Sequence, residues 1–219
     1  PELRDDTIAR QEWRARVATV ETLVQQYLDE AFGPHQLTRL AACHWYRRGA
    51  DVSQHMGRNL TAFLSTVCDE IYHATPHVWN ELLNRRVLSS QAAAARRNLI
   101  QAMLTRPHHE TLSIEGYPPE RSMYESLLNA GGLHRQDSSG NWHFAAPSEP
   151  DRLGLSPLWQ AMAEYVFASP VETHSVEELF RRLKAPPYGV TDGVLPVLLC
   201  AFYLVHQDEM TLYREGSLL

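Results

Sequence analysis

The apolar positions of the chain fall into helical stretches separated by proline and glycine. From about Asp6 to Ala31, the residues Trp13, Val17, Val20, Val24, Tyr27 and Ala31 recur at intervals of four and three, with Leu23 and Leu28 beside them. That spacing predicts one helix with a single apolar face. Gly33-Pro34 ends it, because glycine frees the backbone and proline cannot continue the hydrogen-bond ladder. A second helix is predicted from about His35 to Arg48, with Gly49 as its C-cap. A third follows a cap at Asp51 or Ser53, with the stripe Val52, Met56, Leu60, Phe63, Val67 and Ile71, widened by Leu64. Three apolar faces bury one another most economically in a bundle, so residues 1–75 are expected to form a helical bundle.

Residues 76–150 follow another order. A short helix, about His77 to Arg85, leads to a cap at Ser89-Ser90 and an alanine-rich helix from Gln91 to Leu104, ended by Pro107. Thr111 to Ile114 alternates and predicts a short extended stretch. Pro119 suits the first position of a helix running to Asn129, before Gly131-Gly132. Leu133 to Ala146 then predicts two short strands about an Asp137-Ser138-Ser139-Gly140 turn. Residues 151–219 repeat the plan. Helices are expected at Pro157–Ala168, after a His174-Ser175 cap, and from an Asp192 cap to Val205, with Pro196 in the first turn. Met210 to Tyr213 alternates, Arg214-Glu215-Gly216 turns, and Ser217 to Leu219 returns. The expected fold is mainly α with minor α+β character: a helical bundle followed by two tandem winged-helix-like units with short β-hairpins.

Composition adds limits. The chain has 219 residues, is 44% hydrophobic and 21% charged, and is long enough for a real core. It begins at Pro1 with no basic, apolar leader, which points to an excised fragment without a signal peptide. No apolar run reaches the roughly 20 residues of a membrane span; the longest, Val194 to Val205, contains Pro196. Cys43, Cys68 and Cys200 stand far apart in apolar patterns, the usage of a reducing compartment, so a cytoplasmic location is expected. The net charge of −6 gives no global attraction to a polyanion. Lys184 is the only lysine, an arginine bias that suits a GC-rich genome.

A series of short motifs runs through the last two thirds. It comprises Asn80-Glu81-Leu82-Leu83-Asn84-Arg85-Arg86, Leu88-Ser89-Ser90 before an alanine-arginine helix, and Gly116-Tyr117-Pro118-Pro119-Glu120 with Met123-Tyr124. Gly132-Leu133-His134, Ala185-Pro186-Pro187-Tyr188-Gly189 and Leu212-Tyr213-Arg214-Glu215-Gly216-Ser217 complete it. The series resembles the region downstream of the P-loop domain in very large bacterial ATPases of defence islands, the phage-exclusion (BREX-type) ATPases. It covers roughly residues 70 to 219, and no single motif in it is specific. The resemblance implies a parent protein that binds ATP elsewhere and acts against phage. It assigns no catalytic residue to this segment.

The residues themselves offer little chemistry. There is no Walker lysine loop, since Lys184 follows Arg182-Leu183, and no G-x-G-x-x-G, so no cofactor is expected. Eleven histidines invite a metal reading, but Cys68, His73 and His77 are interrupted by Pro76, and the His108-His109 doublet lacks a cysteine pair. No metal site is expected. No G-x-S-x-G elbow marks a nucleophile, and Glu81, Glu110 and Glu115 show no acid–base pairing. His134 and His143 flank the predicted hairpin turn and are expected to be exposed. No catalytic residue is assigned.

Nucleic-acid contact is the stronger alternative. Arg85, Arg86, Arg96 and Arg97 lie on adjoining helices, with Ser89 and Ser90 at a helix start that suits phosphate, and Arg47, Arg48 and Arg58 could extend the patch. The bland counterpart is a solvated, partly ion-paired face. Base reading is opposed by the third helices. Val194 to Val205 contains no Arg, Lys, Asn or Gln, and Pro119 to Asn129 carries Glu120 and Glu125, which phosphate repels. Trp142 and Phe144, alternating with His143, suit core packing or a partner surface. The expected role is therefore architectural: positioning a neighbouring domain, a protein partner or the DNA backbone, with no membrane contact. A winged-helix DNA-binding regulator and an adaptor without nucleic-acid contact are the competing readings.

Overall fold

The computed structural model describes residues 7–32, 45–53, 60–85, 89–168 and 173–218. These fall into two compact units, residues 1–67 and 68–219. The fold is mainly helical, with short antiparallel hairpins.

In the first unit, α1 (Thr7–Phe32) is one unbroken helix of 26 residues. Its apolar stripe, expected to be buried in a bundle, faces solvent instead: Trp13 is 68% and Tyr27 66% exposed. Most of the predicted second helix, like Met56 and Arg58 of the third, lies outside the described residues. Where that second helix should end there is a hairpin, β1 (Tyr46–Arg47) against β2 (Ala50–Asp51). Arg48 and Gly49 both take positive φ, +49° and +83°. That is the two-residue loop whose twist matches antiparallel strands, so Gly49 closes a hairpin and caps no helix. The third predicted helix is present as α2 (Leu60–Ile71). The Arg47 guanidinium lies 5.9 Å from the centre of the Phe63 ring.

In the second unit, helices followed by a hairpin occur twice, as the sequence predicts. The first set is α3 (Glu81–Asn84), α4 (Ser90–Thr105) and α5 (Pro119–Met123), which widens into a π turn over Tyr124–Asn129. Its hairpin is β3 (His134–Gln136) with β4 (Trp142–Phe144). The turn forms because Asp137 accepts from the amides of Ser139 and Asn141, while Gly140 supplies φ +83°. The second set is α6 (Ser156–Val166), α7 (Val176–Lys184) and α8 (Leu195–Val205), closed by β5 (Tyr213–Arg214) and β6 (Ser217–Leu218).

Two local expectations are corrected. Thr111 to Ile114 is not extended: Thr111, Leu112 and Ser113 are consecutive left-handed residues with φ of 50°, 55° and 52°. That turn buries Leu112 completely, and two arginines hold it, Arg106 donating to the Ser113 carbonyl and Arg121 to that of Ile114. Asp192 does not cap α8; it forms an ion pair with Lys184, and the Thr191 carbonyl takes the amides of Val194 and Leu195. Cys68 is exposed, whereas Cys200 is half-buried and burial pushes its thiol up to about 12.

One cluster of buried side chains runs from Val78 to Phe202 and draws on both sets of helices. Its centre is α8. Leu195, Val197, Leu198, Ala201 and Phe202 are buried, and the helix packs on α4 and on β4 of the first hairpin. Phe202 lies 5.0 Å from the ring of Trp159 in α6. The approach before α8 is tight. A Cβ on Gly193 would stand 2.1 Å from the Leu83 carbonyl oxygen, which also accepts the Thr191 hydroxyl.

Candidate interaction site

The arginine turn between α3 and α4 is the candidate site for nucleic-acid backbone contact. Ser89 is the N-cap of α4, accepting from the Ala92 amide, and Ser90 begins the helix, exposed. The cap uses the Ser89 oxygen as an acceptor, and its O–H can still donate. Arg85 pairs with Glu81 one turn earlier, and that pairing holds the Glu81 carboxyl below the usual range. Arg96 turns toward the second set of helices and donates to the Asp192 carbonyl at 2.7 Å. Burial lowers its basicity, partly offset by the Asp192 carboxylate. Arg97 is exposed on the same helix, and Arg86 lies outside the described residues. The turn therefore brings Arg85, Ser89, Ser90 and Arg97 to the surface, while Arg96 joins the two sets of helices.

The third helices show what the winged-helix order is used for. In α8 and the residue before it, Val194 to Val205, every side chain is buried or half-buried. A recognition helix presents polar side chains to base edges along an open face. This one is enclosed by α4, β4 and its own neighbours. In α5, Arg121 is held by Glu125 at 2.7 Å and by the Ile114 carbonyl, and Asn129 also donates to Glu125. The polar groups of that helix bond one another and adjoining elements, Glu120 accepting from Asn98 of α4.

The sequence reading missed a buried polar centre beside the first hairpin. His134 was expected to be exposed and is only 1% exposed. Its Nε2 lies 2.9 Å from the Pro107 carbonyl, which can only accept, so Nε2 carries the proton. Its Nδ1 then accepts from the Tyr124 hydroxyl at 2.9 Å. Trp142 stacks on the imidazole at 5.1 Å and Phe144 lies 4.7 Å away. Burial lowers the affinity of His134 for a second proton and pushes Tyr124 up to about 12. Both ring nitrogens are satisfied by the neutral form. The visible signal was register: His134 faces Phe144 across the hairpin, on the side of the sheet that packs inward.

Two exposed aromatics also escaped notice. Trp79 is 88% and Tyr117 98% exposed, each just before the cap of a helix, Asn80 and Pro118 respectively. Asn80 accepts from the Leu82 and Leu83 amides and donates to Ser122 and Ser126, fixing the start of α3 on α5. Exposed aromatics of this kind are common contact points for protein. A cleft of about 810 Å³ lies among α6, α7 and the segment before β5, lined by Tyr165, Phe167, His174, Leu199, Met210 and Tyr213.

Among the described residues, no three His, Cys, Asp or Glu side chains are grouped so as to hold a metal ion, and no helix is long and apolar enough to cross a membrane. No protein-family model matches the chain, and neither a curated protein nor a solved structure does.

Proposed function

We propose that this chain is an architectural, interaction-making segment that positions a neighbouring domain or protein partner for a larger bacterial ATPase of the phage-exclusion kind. The observation that carries the architectural reading is the enclosure of α8. The element that would read bases in the last winged-helix-like unit has no exposed residue, so it serves packing. The arginine turn supports the same reading, because Arg85 and Arg96 are bonded within the protein. Trp79 and Tyr117 supply exposed anchors for protein contact. The ATPase and phage-defence parts rest on the motif series alone, and they require an open reading frame in which a P-loop precedes this segment.

Electrophoretic binding to duplex DNA at several salt concentrations tests the choice between protein and nucleic acid. The expected result is no sequence preference and, at most, weak retention that salt abolishes. Tight binding confined to one sequence would overturn the reading in favour of a winged-helix regulator. Strong salt-sensitive binding lost on alanine substitution of Arg85, Arg86, Arg96 and Arg97 would make the DNA backbone the partner.

A further inference from the structure

The exposed stripe of α1 has a period of its own. From Trp13 to Tyr27 its steps alternate four and three, an average of ~3.5 residues and not the 3.6 of a straight helix. A stripe with that period stays on one seam when two helices wind about each other. In heptad terms Val17 and Val24 occupy a, and Trp13, Val20 and Tyr27 occupy d. Val17 and Val24 supply the β-branched a positions of two-stranded coils, although d here carries Trp13, Val20 and Tyr27 in place of leucine. All five side chains are exposed. From Gln11 to Gln26 the opposite face carries Gln11, Glu12, Ala15, Thr19, Thr22 and Gln26, polar or small, with Ile8 preceding them. The hydroxyls of Thr19 and Thr22 bond back to the Ala15 and Ala18 carbonyls and so need no other partner.

The flanking positions indicate what covers the seam. Arg14, Glu21 and Leu28 fall at e, and Arg16, Leu23 and Glu30 at g. In a parallel pair each g residue faces the e residue of the partner's next heptad. Arg16 then meets Glu21, and Leu23 meets Leu28, each twice by symmetry. Arg16 is exposed and is held at present by Glu12 at 2.9 Å on its own helix. An antiparallel pair that layers Val20 on Val24 sets Glu21 against Glu21 instead. That pair also sets Leu23 on Leu23 and Arg16 against Glu30, so it is the like-charge Glu21 contact that favours a parallel second copy.

We propose that α1 is a self-association surface, and that two copies of this chain pair through it as a parallel two-stranded coiled coil. The seam spans about two heptads, so pairing is weak and depends on concentration.

Sedimentation of the full chain across a wide concentration range tests this. A reversible monomer–dimer equilibrium is expected. Val17→Glu with Val24→Glu should return the protein to monomer, with circular dichroism confirming that the rest of the fold is intact. Arg16→Glu should weaken the dimer severalfold, and adding Glu21→Arg should restore it. A monomer at every concentration overturns the proposal, and so does a dimer indifferent to the valine changes. Failure of the double exchange to restore pairing excludes the parallel arrangement. Trimers or larger species exclude the two-stranded one.

Discussion

His134 shows what a single side chain can hide from sequence reading. Histidine is polar, and beside a turn rich in Asp, Ser and Gly it suggests solvent, yet the hairpin register turns it inward against Trp142 and Phe144. Its partners, Pro107 and Tyr124, come from two other elements and are visible only once the chain folds. Ser89, by contrast, was legible as a cap because a cap bonds three residues away. The bond of Arg96 is invisible locally for the opposite reason: its partner carbonyl lies 96 residues along the chain. The neutral state of His134 makes stability depend on pH. Burial holds its folded affinity for protons below the ordinary 6.5, so the unfolded chain takes up the proton first. The stabilisation is complete above about pH 6.5 and declines as the pH falls below that value toward the folded one. His134→Gln keeps a donor for Pro107 and an acceptor for Tyr124 but cannot titrate. It should cost about 1–2 kcal/mol near pH 7.5 and flatten the dependence of the urea midpoint between pH 7 and 5. An unchanged pH slope in that variant would show that His134 does not titrate with folding.

At the scale of elements, the helices were legible and the turns only in part. Ser89, Ser175 and Pro119 mark starts that the structure retains, because capping and proline geometry are local. The hairpins show where local reading fails. Tyr46-Arg47-Arg48-Gly49-Ala50 and Tyr213-Arg214-Glu215-Gly216-Ser217 share one pattern, and both fold as two-residue hairpins with positive φ at the central pair. Alternation before the second marks it as a turn, while the apolar helical pattern before the first suggests a helix end. Thr111-Leu112-Ser113-Ile114 failed similarly. Alternation and a β-branched residue predict a strand, but burying Leu112 bends the backbone into three left-handed residues. Each such residue costs about 1–2 kcal/mol relative to right-handed backbone, and the arginine bonds to Ser113 and Ile114 offset that cost. Thr111 is the most strained of the three, since its Cβ is branched. Thr111→Gly should raise stability by about 0.5–1 kcal/mol, the relief of strain exceeding the added freedom of the unfolded chain. A thermal midpoint that falls instead would show that the turn holds no strain at this position.

For the whole molecule, the decisive feature is that α8 belongs by sequence to the last set of helices and by packing to both. Nothing local announces this. The sequence shows that Val194 to Val205 must be covered but not by what, because α4 lies about 100 residues earlier and β4 about 50. The enclosure has an energetic consequence. Phe202 is fully buried and touches the ring of Trp159, and the cluster it joins continues through Leu99, Met123 and Leu127. Removing a large buried ring deletes its transfer energy and leaves a cavity, together about 3–5 kcal/mol. If residues 68–219 share one core, that loss is felt in all of it. Phe202→Ala should therefore lower amide hydrogen-exchange protection in α4 and α5 as much as in α8, and urea unfolding should remain one transition. Protection retained in α4 and α5 while α8 alone is loosened would divide the unit into two independently stable halves. In that case the contact between α4 and α8 would be a docking of finished domains, and the covered helix could be freed to meet another partner.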